Sequence, residues 1–315
     1  MTEPAHMENL PPENIAPETF RAGHVALVGR PNIGKSTLLN ALVGQPLAAV
    51  SHKAQTTRLV VRGILSGPGF QLVLEDTPGL LDPRSALDRS MLRLAHRTAA
   101  YADLVVAMAR PWTSTVAEDM QMIESLPGHS PVVVAVNKID LVDKPLLLPV
   151  MAQVASLTRV SEVVPVSATG RDGLDALVCV MACHVQTSPP LYPPDQVSDQ
   201  PERFFVAEIL REQIMLRYHE EVPYATAVEI EEFVERDRGK DYVRAVIWVE
   251  RESQRIILVG KRGAALKALG IHARTAVEQL LDRPVYLELW VKVRPKWRDR
   301  EVDLVRLGLG SAPSQ

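Results

Sequence analysis

The chain has 315 residues, more than one typical domain, so two compact domains, each able to bury a core, are expected. A net charge of −3 and a pI near 6.3 exclude a uniformly basic nucleic-acid binder and leave room only for a basic patch on one domain. No uninterrupted apolar segment approaches the roughly 20 residues that cross a bilayer, which makes a cytoplasmic protein the expectation.

Residues 1–20 are polar, acidic and proline-rich, without the cationic start and apolar run of a secretory signal, and read as a flexible tail. The domain expected over 21–186 opens on the strand HVALVG. Directly after it, Gly29-Arg30-Pro31-Asn32-Ile33-Gly34-Lys35-Ser36 fits G-x-x-x-x-G-K-S, and a helix follows through Thr37. In that context the glycines let backbone N–H groups wrap a β-phosphate, and the helix N-terminus adds positive potential. Lys35 would bridge β- and γ-phosphates, and the Ser36 hydroxyl would coordinate Mg²⁺.

Residues 48–58, ending in Lys53-Ala54-Gln55-Thr56-Thr57-Arg58, are too polar for a core element and suit a switch loop. One threonine there should reach Mg²⁺ and the γ-phosphate. Thr57, immediately before the next strand, is favoured, with Thr56 as the alternative. The strands LVVRGIL and FQLVLED are joined by only Ser66-Gly67-Pro68-Gly69, which predicts a hairpin and one antiparallel edge strand. Asp76-Thr77-Pro78-Gly79 follows, placing a carboxylate to hold Mg²⁺ through water and the Gly79 N–H to sense the γ-phosphate. The next residue is Leu80, whose side chain cannot orient an attacking water.

Further on, DLVVAMA, PVVVAVN and EVVPVS complete a series of nearly continuous apolar strands separated by helical patterns, which predicts an α/β domain with a mostly parallel sheet. Ala109-Arg110-Pro111-Trp112 receives no role. Asn137-Lys138-Ile139-Asp140 chooses the base: Asp140 can accept from both N1–H and the N2 amino group of guanine, and adenine offers neither donor. Lys138 would pack its stem over the base plane, and the Ala168 backbone N–H of Ser167-Ala168 would cover guanine O6. Cys179 and Cys183, four apart on a helix beside His184, are too few for a zinc site and read as reduced structural thiols.

Prolines crowd the stretch 187–202, a linker. An α+β domain is expected over 203–300: a helix, two strands, two helices and a strand. Between IILV and the next helix, Gly260-Lys261-Arg262-Gly263 matches the G-x-x-G loop of a type II KH domain, which clamps phosphates while about four single-stranded bases lie in an adjacent groove. Basic residues gather from 255 to 300, Lys267, Lys296 and Arg298 among them. The Lys-Trp-Arg segment at 296–298 offers a further clamp and a stacking ring. Trp290 can be read as core or as surface. Residues 301–315 are assigned to a C-terminal tail.

These segments together resemble the Era family of translation-factor-related GTPases: GRPNIGKSTLLNALVG, KAQTTR, DTPGL and NKIDLV in the first half, VGKRGAALKALG and RPVYLELWVKVRPKWRD in the second. The resemblance implies a GTP/GDP cycle with Mg²⁺ and RNA as the KH partner. It points specifically to 16S rRNA near its 3′ end, in maturation of the 30S ribosomal subunit by a monomeric protein. It also implies slow unassisted turnover, on the order of 10⁻⁴ to 10⁻² s⁻¹ as in other GTPases lacking an aid to water attack. In some relatives an asparagine at the position of Asn32 binds K⁺ beside the phosphates, which motivates K⁺ stimulation here. The family's reported association with the inner membrane would be peripheral in this chain, where RNA explains the basic patch better. Two alternatives stand: an RNA-binding module whose nucleotide is only structural, and a membrane-associated signalling GTPase.

Overall fold

The computed structural model describes residues 19–53 and 55–310, in two compact units. The tail expected over 1–20 lies almost entirely outside the described residues, as does Ala54 of the switch loop. The first unit takes its described residues from 19–47, Val60–Leu81 and Leu92–Asp199; the second combines Ala48–Leu59, Asp82–Met91 and the chain from Gln200 onward.

In chain order the elements of the first unit are β1 (Arg21–Val28), α1 (Lys35–Val43), β2 (Val61–Gly67), β3 (Phe70–Asp76), α2 (Ala86–Tyr101), β4 (Leu104–Ala109), α3 (Thr113–Glu124), β5 (Val132–Val136), α4 (Lys144–Ala155), β6 (Val160–Pro165) and α5 (Leu174–His184). The first residues of α2 are grouped with the second unit. The sheet order is β2-β3-β1-β4-β5-β6, parallel except for β2, which pairs antiparallel with β3 as the four-residue connection predicts. Every residue of β4 and β5 is buried, the pattern of strands covered on both faces. Parallel strands that all end at one edge bring the loops after β1, β3, β5 and β6 to the same side, where the predicted motifs lie.

The proline-rich stretch has specific partners. Gln71 Oε1 accepts from the Leu191 and Tyr192 N–H groups at 2.7 and 2.8 Å, the Ile64 N–H donates to Val197 O at 2.8 Å, and Arg62 pairs with Asp199. It therefore shields part of the β2 edge, whose unpaired backbone would otherwise invite another strand.

The second unit contains α6 (Glu202–Arg217), β7 (Ala227–Val234), β8 (Asp241–Val249), α7 (Glu252–Val259), α8 (Ala264–Leu281), β9 (Val285–Val293) and α9 (Glu301–Arg306). Its sheet has the order β7-β8-β9, with β8 and β9 parallel. Helices α6 and α8 bury Val206, Leu210, Ala273 and Val277 against Val243, Ala245 and Val285 of the sheet. A second cluster gathers Leu87, Met91, Trp248, Trp297 and Leu304. Residues 301–306, assigned to a tail on sequence, are helical because Leu304 and Asp303 are buried there. Among the described residues, no helix is long and apolar enough to cross a membrane.

Candidate nucleotide and RNA sites

The loop between β1 and α1 turns on two left-handed residues, Asn32 (φ 60°) and Gly34 (φ 106°). A Cβ on Gly34 would stand 2.3 Å from Asn137 Nδ2, so both the backbone conformation and the close approach require glycine. Asn137 is buried; its Nδ2 donates to Ile33 O at 2.8 Å and its Oδ1 accepts from the Ala168 N–H at 3.1 Å. One side chain thus ties together three loops that lie far apart in sequence. The Ala168 N–H, expected at guanine O6, is used here in that link.

Lys35 is buried, with Nζ donating to the carbonyls of Gly29 and Arg30, each at 3.2 Å. Burial lowers its pKa and the nearby Asp76 carboxylate opposes the shift. The Ser36 hydroxyl donates to Asp76 Oδ2 at 2.7 Å, so the two expected Mg²⁺ ligands are already adjacent and form a hard oxygen pair suited to that ion. Thr77 pins the end of β3 through its hydroxyl to Leu27 O at 2.8 Å. The Leu80 N–H donates to Gly29 O at 3.0 Å, and Gly79 lies so close to Pro31 that a Cβ would stand 2.9 Å from its backbone. Pro78 lies between these anchored residues.

On the base side, Asp140 Oδ1 accepts from the Ser167 hydroxyl at 2.6 Å, and Ser167 Oγ in turn accepts from the Gly170 N–H at 2.9 Å. The Ile139 N–H donates to Val166 O at 3.3 Å, and Lys138 reaches across to Asn32 O with Nζ at 2.7 Å. The structure therefore brings Gly29 to Thr37, Asp76 to Leu80, Asn137 to Asp140 and Ser167-Ala168 into one unit. Thr57 is grouped with the second unit and buried there. Thr56 Oγ1 is engaged with Lys53 O at 2.7 Å and Ser51 Oγ at 2.8 Å.

Sequence reading missed the side chains around the switch loop and α3. Arg58, 3% exposed, donates to the carbonyls of Thr226 at 2.6 Å, Tyr224 at 3.1 Å and Pro223 at 3.3 Å, and Lys53 donates to the carbonyls of Met215 and Tyr218. Burial, with Arg211 and Arg298 nearby, pushes the Arg58 guanidinium down to about 9. Arg110, given no role on sequence, holds the buried Asp119 of α3 through Nη2 at 2.8 Å and its own backbone N–H at 2.9 Å. Arg58 lies within the KAQTTR segment, but nothing in that segment signals its burial, and no short motif announces Arg110.

In the second unit, Gly260-Lys261-Arg262-Gly263 leads into α8, with Gly263 left-handed at φ 78° and open space where a Cβ would stand. Beside it lies a cleft of about 390 Å³ lined by Gly263, Leu266, Lys267, Ile271, Arg274 and Tyr286, among others. Lys261, Arg262 and Lys267 are exposed and form no ion pair among the described residues, whereas Arg298 pairs with Glu250, Lys292 with Glu231 and Arg294 with Asp303. The clamp expected at 296–298 is corrected accordingly: Lys296 is exposed, but Arg298 is neutralised. Trp297 is fully buried, its Nε1–H donating to Ala225 O at 2.8 Å, so it is not a stacking ring. Trp290, in contrast, is 54% exposed. Cys179 and Cys183 are exposed rather than structural, and His184 turns to Val180 O at 2.9 Å.

Family models match the chain twice: 50S ribosome-binding GTPase over residues 24–138 and KH domain over 221–298. Among curated relatives, GTPase Era of Ruminiclostridium cellulolyticum is 38% identical, and that of Geotalea uraniireducens 42% identical. Each match covers 92% of this chain and 98% of the relative. Two solved structures align over 93% of this chain and all of theirs, at 37% identity. An Aquifex aeolicus Era variant bound to GDP and AlF4⁻ gives a TM-score of 0.87, and Era in complex with MgGDPNP and nucleotides 1506–1542 of 16S ribosomal RNA gives 0.86.

Proposed function

The chain belongs to the Era family of GTPases, and on that premise we propose that it is a monomeric, GTP-switched assembly factor that binds 16S rRNA near its 3′ end during maturation of the 30S subunit. It is an enzyme that hydrolyses GTP to GDP and phosphate, with Mg²⁺ as cofactor. Bound Mg²⁺ neutralises phosphate charge; Ser36 and Asp76 would hold it, with Thr57 as a further donor when GTP is present. Lys35 would exchange its loop carbonyls for phosphate oxygens, Gly79 would sense the γ-phosphate, and Asp140 would select guanine.

The Leu80 side chain cannot orient the attacking water, so the backbone, a cation or a bound partner must position it. K⁺ beside Asn32 is the cation we propose, and equal turnover in K⁺ and Na⁺ buffers would remove this element.

The observation that carries the RNA reading is the cleft beside Gly263, lined by Lys267 and flanked in the loop by Lys261 and Arg262, which form no ion pair among the described residues. Gly263→Asp tests it. With nothing within 4 Å an aspartate side chain has room, and aspartate is among the residues that enter the left-handed region at φ 78° at the least backbone cost, while it sets a negative charge against the phosphates. RNA affinity should fall more than tenfold while nucleotide affinity holds, and loss of both would indicate misfolding instead. The switch requires that wild-type affinity differ between GDP and a non-hydrolysable GTP analogue; identical values would refute it. We place this work in the cytoplasm, with any contact at the inner membrane peripheral.

A further inference from the structure

We propose that Asp119 of α3 is a positioning residue for GTP: acting through Arg30, it braces the half of the phosphate loop that faces the γ-phosphate. The proposal rests on the reading of Gly29 to Ser36 as the phosphate loop and adds to it a residue outside every nucleotide motif.

The loop is held in two halves. Its second half is tied to the base side, where Ile33 O accepts from Asn137 Nδ2 at 2.8 Å and Asn32 O from Lys138 Nζ at 2.7 Å. Its first half is tied to the segment assigned to sensing the γ-phosphate: Gly29 O accepts from the Leu80 N–H at 3.0 Å, and Pro31 abuts Gly79. Between these contacts lies Arg30, whose carbonyl accepts from Lys35 Nζ at 3.2 Å. When Lys35 turns to the phosphates that bond is given up, and the side chain is left to hold residue 30 in place.

That side chain runs to α3. Arg30 Nη1 stands 3.7 Å from Glu118 Oε2, and its Nε stands 3.8 Å from Asp119 Oδ1. Of the two acids, Asp119 is the fixed one. Glu118 is exposed, whereas Asp119 is fully buried and both of its oxygens are engaged: Oδ2 accepts from the Arg110 N–H at 2.9 Å and Oδ1 from Arg110 Nη2 at 2.8 Å. A buried carboxylate caged by its partner cannot turn aside without leaving a charge unpaired, so its position is set before nucleotide arrives. Arg30 Nε, by contrast, is buried with no hydrogen-bond partner among the described residues. Closing the 3.8 Å gap by about 1 Å would make a charge-assisted hydrogen bond, one gained only as the loop tightens. Because this half of the loop meets Gly79 and Leu80, a bond gained there favours the triphosphate over the diphosphate.

The test is equilibrium titration of the full chain with GDP and with a non-hydrolysable GTP analogue in Mg²⁺, beside its thermal midpoint. Asp119→Asn keeps the shape and removes the charge; the ratio of analogue affinity to GDP affinity should fall about fivefold, the upper end for one part-exposed ion pair. Arg30→Gln, at a side chain 39% exposed, should lower the ratio equally, and the double variant should fall no further than either single one. Arg159→Gln is the control for stability alone. It strips the carbonyls of Leu126, Pro127 and Gly128 of a donor in the same unit, and should lower the midpoint without moving the ratio. An unchanged ratio in Asp119→Asn and Arg30→Gln would overturn the proposal, as would parallel loss of both nucleotides or additive losses in the double variant. Should Asp119→Asn fail to fold, Arg30→Gln must still lower the ratio, and Glu118→Gln must lower it less; equal losses would assign the brace to Glu118 and overturn the role of Asp119. Lys35→Ala separates the two readings. If it leaves nucleotide binding intact, the phosphate loop itself is misassigned; if it abolishes binding while Asp119→Asn leaves the ratio unchanged, only the brace fails.

Discussion

Replacing Arg58 with alanine removes a cation that satisfies three carbonyls of residues 223–226 and lies 5.7 Å from the centroid of the buried Trp297 ring. Each carbonyl left without a donor costs about 1 kcal/mol, and the cation–π contact adds about 1 more. Relief from desolvating the charge offsets part of this, but removing one partner of a buried polar cluster still leaves a deficit of about 3 kcal/mol. The assay is urea unfolding of the full chain followed by tryptophan fluorescence, since Trp248, Trp290 and Trp297, three of the four tryptophans, belong to the second unit. With a slope of about 1–3 kcal/mol/M, the transition of that unit should move down by about 1–3 M. Arg58→Lys should fall between, because an ammonium keeps the charge but cannot fork to three carbonyls. A loss below about 1 kcal/mol, or a shift confined to the first unit, would refute the caged-arginine account.

Three further substitutions address separate features. Gly34→Ala places a methyl 2.3 Å from Asn137 Nδ2, so Asn137 must surrender its bond to Ile33 O; guanine-nucleotide affinity by equilibrium titration should drop at least about tenfold, and unchanged affinity would contradict the close approach. Asp140→Asn puts a donor where guanine needs an acceptor and should weaken GTP binding while improving binding of xanthosine triphosphate; retained guanine preference would overturn the base assignment. Glu212 accepts from the Val50 N–H at 2.7 Å, yet burial raises its pKa above the usual value. Its folded state therefore binds protons more tightly than the unfolded chain, so its contribution is complete below the unfolded pKa and is lost as pH rises through the folded one. Glu212→Gln keeps an acceptor without the charge and should stabilise the second unit at pH 8 more than at pH 4.5; a gain independent of pH would argue against buried ionisation.

Contiguous motifs were legible because their chemistry is local. Residues 29–36 carry the turn, the cation and the hydroxyl within eight positions, and the strand before and helix after orient them by chain continuity. The same holds for Asp76 to Gly79, for Asn137 to Asp140 and for Gly260 to Gly263. Apolar runs likewise announced a sheet buried on both faces, because a strand covered on two sides has no polar alternation to confuse the reading.

What residues far apart do for one another had no such signal. Asn137 reads as part of a base motif, but its bond to Ile33 O, 104 positions away, makes it a brace for the phosphate loop. Trp297, between Lys296 and Arg298, reads as a surface ring, and Trp290, between Leu289 and Val291, reads as core or as surface; packing buried the first beneath Arg58 and left the second exposed. Arg298 looked available until Glu250 met it, and residues 301–306 looked like a tail until Leu304 found a core to enter. By itself the amino-acid order determined the fold class and the nucleotide chemistry, since both depend on backbone period and short-range spacing. Which cations remain unpaired for RNA, and which ring is exposed to stack, were decided only by tertiary structure, because burial and ion pairing are set by partners that the chain brings together across long separations.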